Sequence, residues 1–289
     1  MEAIRQRITI PDSIKQFPEQ LKPKSPKALD KGSDSIPTSL TPTPVSPPLA
    51  TPSHGDIGAV LTIACATPIA AKPTAVLAAV LNPATYPAWN TFVPKATVSR
   101  PSGLAVPPML ADSSVAKNQP GELLLEGTHV TFEVHMTLDP AKTTTKQALV
   151  VTKLEEFTHA AASTNGETHR GRKGYRVCWK TGGLVPPFVL KSERVQEFLE
   201  TEDGNGTEYR CWETFYGPLA QVLRFTMVGQ LETGFAAWME GLKNFAEGNL
   251  TQPPAPTTDA AAAVAATTAA STTAPATTPA TAPAVAAAS

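Results

Sequence analysis

Glu213 is the residue whose setting offers the most chemistry. It lies in 207–216, where Tyr209, Cys211, Glu213 and Phe215 alternate with Arg210, Trp212, Thr214 and Tyr216. In a strand the two sets face opposite sides of a sheet. Both sets contain aromatics, so the alternation leaves open which one faces inward. If the first does, burial would favour a proton on Glu213 and fit it for acid or base work. A solvent-facing or ion-paired glutamate is the competing reading, since buried glutamates are rare. His129, Glu133 and His135 share one face of another alternating stretch. Six residues of strand separate the histidines by about 20 Å at 3.3 Å per residue, too far for one metal ion. The spacing is strand-borne, unlike the helical pair of metalloproteases, and a solvated sheet face is expected. Cys65, Cys178 and Cys211 fall in predicted strands without a CxxC pattern or a neighbouring base. They read as small buried residues rather than zinc ligands or nucleophiles. Arg170, Arg172 and Lys173 read as a solvated hairpin tip beside Glu167. Gly182-Gly183 lacks the lysine and Ser/Thr of a phosphate loop, so no nucleotide, metal or other cofactor is expected.

Composition says which elements can position such groups. Of 29 prolines, ten lie in residues 1–54 and six in 249–289. Proline removes a backbone donor and fixes φ, so 1–54 reads as an extended, disordered flank. The Ala/Thr/Pro-rich 249–289 reads as a disordered tail, its helix propensity interrupted by Pro275, Pro279 and Pro283. Between them, 55–248 is long enough for one domain with a substantial core. The formal net charge of −1 argues against a nucleic-acid footprint. No apolar run of about 18 residues suggests a spanning helix. The start, MEAIRQRITI, lacks the apolar core of a secretory signal, and three cysteines suit a reducing compartment. A cytoplasmic protein is expected. Arg5 and Arg7 hint at mitochondrial import, against Glu2 and Asp12.

The central unit reads as mixed α and β. Residues 59–66 are β-rich. Pro73 then opens a short apolar helix that Asn82-Pro83 stops. A second strand is expected over 92–99, followed by a proline-rich insertion near 101–120. Strong alternation marks 128–136, with strands following at 146–157, 174–181, 193–201 and 207–216. The stretch 158–173, containing Asn165-Gly166, reads as a polar hairpin loop, and Asp203-Gly204-Asn205-Gly206 is a turn signal. Gly217-Pro218 begins a long helix whose Leu223, Met227, Leu231, Phe235, Trp238, Leu242 and Phe245 form one stripe. Gly248 is a plausible cap. A curved antiparallel sheet wrapped on that helix satisfies both apolar faces, an α+β arrangement.

Three segments resemble a known superfamily. The early strand followed by Ala70-Ala71-Lys72-Pro73-Thr74-Ala75-Val76 is similar to its entry into the first helix. Tyr86-Pro87-Ala88-Trp89-Asn90-Thr91-Phe92-Val93 resembles its recurring YPxWNPF pattern, departing at Thr91. Glu213-Thr214-Phe215-Tyr216-Gly217-Pro218-Leu219-Ala220, with Phe235, Met239, Leu242 and Glu247, resembles its last strand and helix. This is the SRPBCC group of START-like and Bet v 1-like proteins, in its polyketide cyclase/dehydrase-like branch. The resemblance spans about 57–248 and implies a helix-grip fold. It is weak for function, because that fold hosts carriers, receptors and cyclases.

The resemblance also implies a cavity between sheet and terminal helix. Expected lining residues are Trp89, Phe92, Phe132, Val134 and Met136, with Trp179, Phe188, Phe215, Met227 and Leu231; ordinary core packing is the alternative for each. Three functions follow. One is a binder of a hydrophobic small molecule such as a lipid, isoprenoid or polyketide. Another is a cyclase, aromatase or dehydratase using Glu213. The last is a non-catalytic interaction module with protein partners left open.

Overall fold

The structure, a computed structural model, describes residues 33–139, 141–142, 144–159, 171–183 and 186–249. The flank up to residue 32, the tail from 250, and the Asn165-Gly166 loop with Arg170 lie outside the described residues.

Among the described residues, eight strands form one antiparallel sheet. They are β1 (Leu40–Pro44), β2 (Ala59–Ile69), β3 (Lys95–Arg100), β4 (His129–Val134), β5 (Thr145–His159), β6 (Arg172–Thr181), β7 (Lys191–Glu200) and β8 (Thr207–Tyr216). Their order across the sheet is β1-β2-β8-β7-β6-β5-β4-β3, so the meander β3 to β8 closes on β2. Against the sheet lie helices α1 (Pro73–Leu81), α2 (Tyr86–Trp89), α3 (Pro218–Thr226) and α4 (Val228–Ala246). Pro73 sits at the start of α1, where its missing N–H costs no helical bond. Seven of the nine α1 residues are buried, which is why the segment carries no amphipathic stripe. Asn82 then stops the helix, its Oδ1 accepting from the Ala84 N–H at 3.2 Å.

The structure adjusts several expectations. The single terminal helix is broken at Met227 (φ −127°, ψ 1°), between Thr226 and the weak helix formers Val228 and Gly229. Helix α4 keeps Leu231, Phe235, Trp238 and Leu242 against the sheet, whereas α3 buries only Ala220. Gly248, at φ +72°, closes α4 in the left-handed conformation that glycine tolerates. Strand β3 starts at Lys95 rather than at residue 92. Asn90 Oδ1 takes the Val93 N–H at 2.8 Å and holds Phe92 and Val93 inward, before Pro94. The 101–120 insertion sends Leu110 and Val115 fully into the main core. Arg172 and Lys173 are strand residues rather than a hairpin tip, paired to Glu208 at 2.8 Å and Glu156 at 3.0 Å.

Part of the proline-rich flank belongs to the fold. β1 adds an edge strand to β2, and Ile36 and Leu49 pack with Ala64, Ala66, Cys178, Val195 and Trp212 on the sheet face away from the helices. The domain therefore begins before residue 55. Ser33 donates to Glu197 and Arg210 donates to the Ser33 carbonyl at 2.9 Å, fixing one end of this strap. At the other end, Glu193 accepts from the Ser53 N–H, the Ser53 hydroxyl and the Thr152 hydroxyl, each at 2.7 Å. Thr51 and Tyr216 hydroxyls meet at 2.9 Å, and Trp212 Nε1 donates to the Ala50 carbonyl at 3.1 Å. A groove of ≈ 490 Å³ lies along the strap, between Ile36, Leu40, Val45 and Pro47. Among the described residues, no helix is long and apolar enough to cross a membrane.

Burying Ile36 and Leu49 contributes about 3–6 kcal/mol at ~1.5–3 kcal/mol per aliphatic side chain. A chain beginning at Gly55 is therefore expected to unfold at clearly lower urea than one beginning at Ser33. Equal midpoints would remove the strap from the fold. The strap also senses acid. Burial holds His54 below its ordinary pKa of 6.5, despite nearby Glu193. A depressed pKa means the unfolded chain binds the proton first. The contribution is thus full above pH ~6.5 and is lost as pH falls below it. Urea titrations at pH 7.5 and 5.5 should show a smaller acid loss in His54→Phe than in the wild type; parallel losses would contradict this.

Candidate functional site

The site is built where β7 and β8 meet α4. On the helix-facing side, β8 presents Tyr209, Cys211, Glu213 and Phe215, and β7 presents Ser192, Arg194, Gln196 and Phe198. The register pairs Arg194 with Glu213 and Ser192 with Phe215. A pocket of ≈ 70 Å³ opens there, walled by Phe132, Trp179, Phe215 and Leu231, with Arg194 and Glu213 as its charged members.

The two charges are paired. Arg194 Nε and Nη2 meet Glu213 Oε2 at 3.0 and 2.9 Å, and the Ser192 hydroxyl donates to Oε1 at 2.6 Å. The guanidinium lies 4.0 Å from the centre of the Phe235 ring and 5.6 Å from that of Trp238. Such cation–π contacts help a desolvated cation, on the order of 2 kcal/mol. Burial opposes the guanidinium charge, but Glu213 outweighs it and raises the Arg194 pKa. Glu213 is thus half of a buried ion pair with Arg194 that also accepts from Ser192. That replaces the expectation of an isolated acid–base glutamate.

Below this pair, Gln196 Oε1 accepts from Tyr209 Oη at 2.7 Å and Trp238 Nε1 at 3.1 Å, while its Nε2 is buried with no partner among the described residues. Cys65 and Cys211 face each other across β2 and β8. The Cys211 hydrogen bond and burial push the Cys65 thiol well up. Burial opposes ionisation of Cys211, yet Cys65, Arg194 and Tyr209 bring it below its ordinary value. All three cysteines are free and buried. His129 contacts exposed Arg100, and His135 Nδ1 lies 3.3 Å from the Asp139 carbonyl. Among the described residues, no three His, Cys, Asp or Glu side chains gather as a metal site would require.

Of the residues expected to line a cavity, Phe92, Phe132, Val134, Met136, Trp179, Phe215 and Leu231 surround this pocket, as does Glu213. Trp89 is buried elsewhere, in a ring cluster with Tyr86 at 5.1 Å, Trp238 at 5.3 Å and Phe245 at 6.3 Å. Phe188 is 78% exposed, because Val189 is tied to the start of α3 through its carbonyl and the Leu219 N–H. Met227 serves as the break between α3 and α4. Sequence reasoning missed Arg194, Ser192 and Gln196.

The fold and geometry can be set beside known proteins. No family model matches the chain. A curated relative from Penicillium oxalicum, "Oxopyrrolidines biosynthesis cluster protein O", is 29% identical over 209 residues, 68% of this chain and 90% of that one. Among solved structures, a hypothetical protein from Helicobacter pylori is 11% identical, covering 63% of this chain and 86% of that one at a TM-score of 0.43. A START superfamily protein from Mycobacterium smegmatis is also 11% identical, covering 63% and 98% at 0.36. The di-domain ARO/CYC protein of the steffimycin pathway is 11% identical, covering 65% and 52% at 0.38. A β2–α1–α2 opening, a meander returning beside β2, and a terminal helix across the sheet decide the fold. It is an α+β fold of the helix-grip type. Within this helix-grip chain, the sheet supplies Arg194 and Glu213 and the gripped helix supplies Phe235 and Leu231.

Removing one member of a buried ion pair strands the other, at about 3–5 kcal/mol, whereas replacing both by apolar residues is often nearly neutral. Glu213→Leu should therefore lose about 3–5 kcal/mol in urea unfolding. Arg194→Met combined with Glu213→Leu should regain most of it. Additive losses would mean that the two side chains are not coupled.

Proposed function

We propose that the protein binds a hydrophobic small molecule between the sheet and α4. The observation that supports this most is a pocket bounded by Phe92, Phe132, Trp179, Phe215 and Leu231 that carries one fixed polar point, the Arg194–Glu213 pair. Apolar walls would provide affinity and the pair would provide orientation. At ≈ 70 Å³ the pocket is far below the roughly 300 Å³ at which drug-sized sites begin. Larger ligands would enter by displacing α3. That helix lies in sequence between the lining residues Phe215 and Leu231. It leaves Val222 51% and Phe225 82% exposed, with exposed Phe188 nearby on the β6–β7 connection. The name of the Penicillium relative supports a ligand from a biosynthetic cluster of the oxopyrrolidine kind. A cyclase-type reading remains second, since Arg194 could polarise a carbonyl beside Glu213.

The full chain should enhance the fluorescence of N-phenyl-1-naphthylamine saturably. Leu231→Trp, which fills the pocket from α4, should weaken that binding at least tenfold while the melting temperature holds. Undiminished binding in the variant, or none in the wild type, would overturn the reading.

A further inference from the structure

The polar wall of the pocket has hydrogen-bonding capacity that the fold does not use. A guanidinium carries five N–H donors. Arg194 directs Nε and Nη2 to Glu213 Oε2, and no further hydrogen-bond partner of Arg194 occurs among the described residues. Both contacts fall on Oε2, while Oε1 receives only the Ser192 hydroxyl. A carboxylate oxygen has two acceptor positions, so Oε1 keeps one. Both residues line the pocket and retain slight exposure, 6% for Arg194 and 8% for Glu213. Donors of Arg194 and an acceptor of Glu213 with no further protein partner among the described residues thus belong to two residues that both line the pocket. A ligand that completes these groups inside the pocket adds hydrogen bonds that fix its orientation.

Charge narrows the class further. The pair is neutral overall. A carboxylate bound to Arg194 would bring a second anion beside Glu213, and an ammonium bound to Glu213 would bring a second cation beside Arg194. Either leaves a net charge among Phe132, Trp179 and Phe215, with its desolvation uncompensated. A neutral ligand that both donates and accepts carries no such cost.

Building on the cavity-binding reading, we propose that the ligand is a neutral secondary amide or lactam. Its carbonyl accepts from Arg194 and its N–H donates to Glu213 Oε1. The pocket's ≈ 70 Å³ is about two waters' share of liquid volume, so it takes the compact polar head. The apolar remainder runs past Leu231 and Met136 towards α3.

The test is displacement of N-phenyl-1-naphthylamine from the full chain by four probes of similar apolar content. These are 5-hexyl-2-pyrrolidinone, its N-methyl derivative, 2-hexylcyclopentanone and decanoate. The lactam should compete at a concentration at least tenfold lower than the N-methyl lactam or the ketone, both of which lack the donor, with decanoate weakest. In Glu213→Gln the site becomes cationic and decanoate should move to first place. Equal competition by the N-methyl lactam and the ketone, or decanoate leading on the wild type, would overturn the ligand class while leaving cavity binding intact. Failure of the dye itself to bind would overturn the cavity reading and this proposal together. Should Glu213→Gln fail to fold, the wild-type ranking decides alone.

Discussion

The fold depends on how closely α4 can approach the turn that carries Trp89 and Phe92. Two glycines on one face of α4 permit it. A Cβ at Gly234 would collide with the Phe92 ring, and one at Gly241 with the Trp89 carbonyl. Glycine in a helix interior is unfavourable by about 1 kcal/mol relative to alanine, so this contact offsets a real cost. With the helix seated, Trp238 meets the rings of Tyr86, Trp89, Phe132 and Trp179 edge-on or stacked at 5.3–6.4 Å. Its indole N–H reaches Gln196, and Phe235 lies against the Arg194 guanidinium. The charged wall of the pocket is thus positioned by an apolar docking contact that lies partly outside the pocket.

The sheet is covered on both faces at its centre. β7 and β8 are buried almost end to end, although more than half of their side chains are polar. On the helix side those polar groups include Ser192, Arg194, Gln196, Thr207 and Glu213. On the strap side, Glu193 and Glu197 accept from the strap, while Arg176 pairs with Glu197 and Glu155 and Arg172 with Glu208. Satisfied partners let such strands remain buried. The strap thus lets both faces of a strand be enclosed without orphaning its charges.

That arrangement explains what could be read from the sequence. Alternation identifies β4 plainly, because only Val130, Phe132 and Val134 are buried there. In β8 it fails to choose a face, because both faces are buried. The Asp203–Gly206 turn held more information than alternation did. It joins Glu200 to Thr207, and counting back along both strands puts Arg194 opposite Glu213. The pairing of Arg194 with Glu213 was therefore available from hairpin arithmetic. The strap was hidden for a different reason. Prolines suit an edge strand and turns as well as extended chain, and among the described residues Leu40–Pro44 pairs with β2 alone. The break at Met227 was masked by an apolar stripe that runs through it. Phe188 misled because an apolar residue in a connection need not turn inward.

The central claim is that the space between Leu231, Phe132 and the Arg194–Glu213 pair receives a ligand. A crystal structure of the full chain grown with 5-hexyl-2-pyrrolidinone tests it most directly. The account predicts density for the ring within hydrogen-bonding distance of Arg194 and Glu213, with the alkyl chain leaving past Leu231. Density only in the strap groove beside Ile36 and Leu40, or an unaltered pocket at saturating probe, would contradict it.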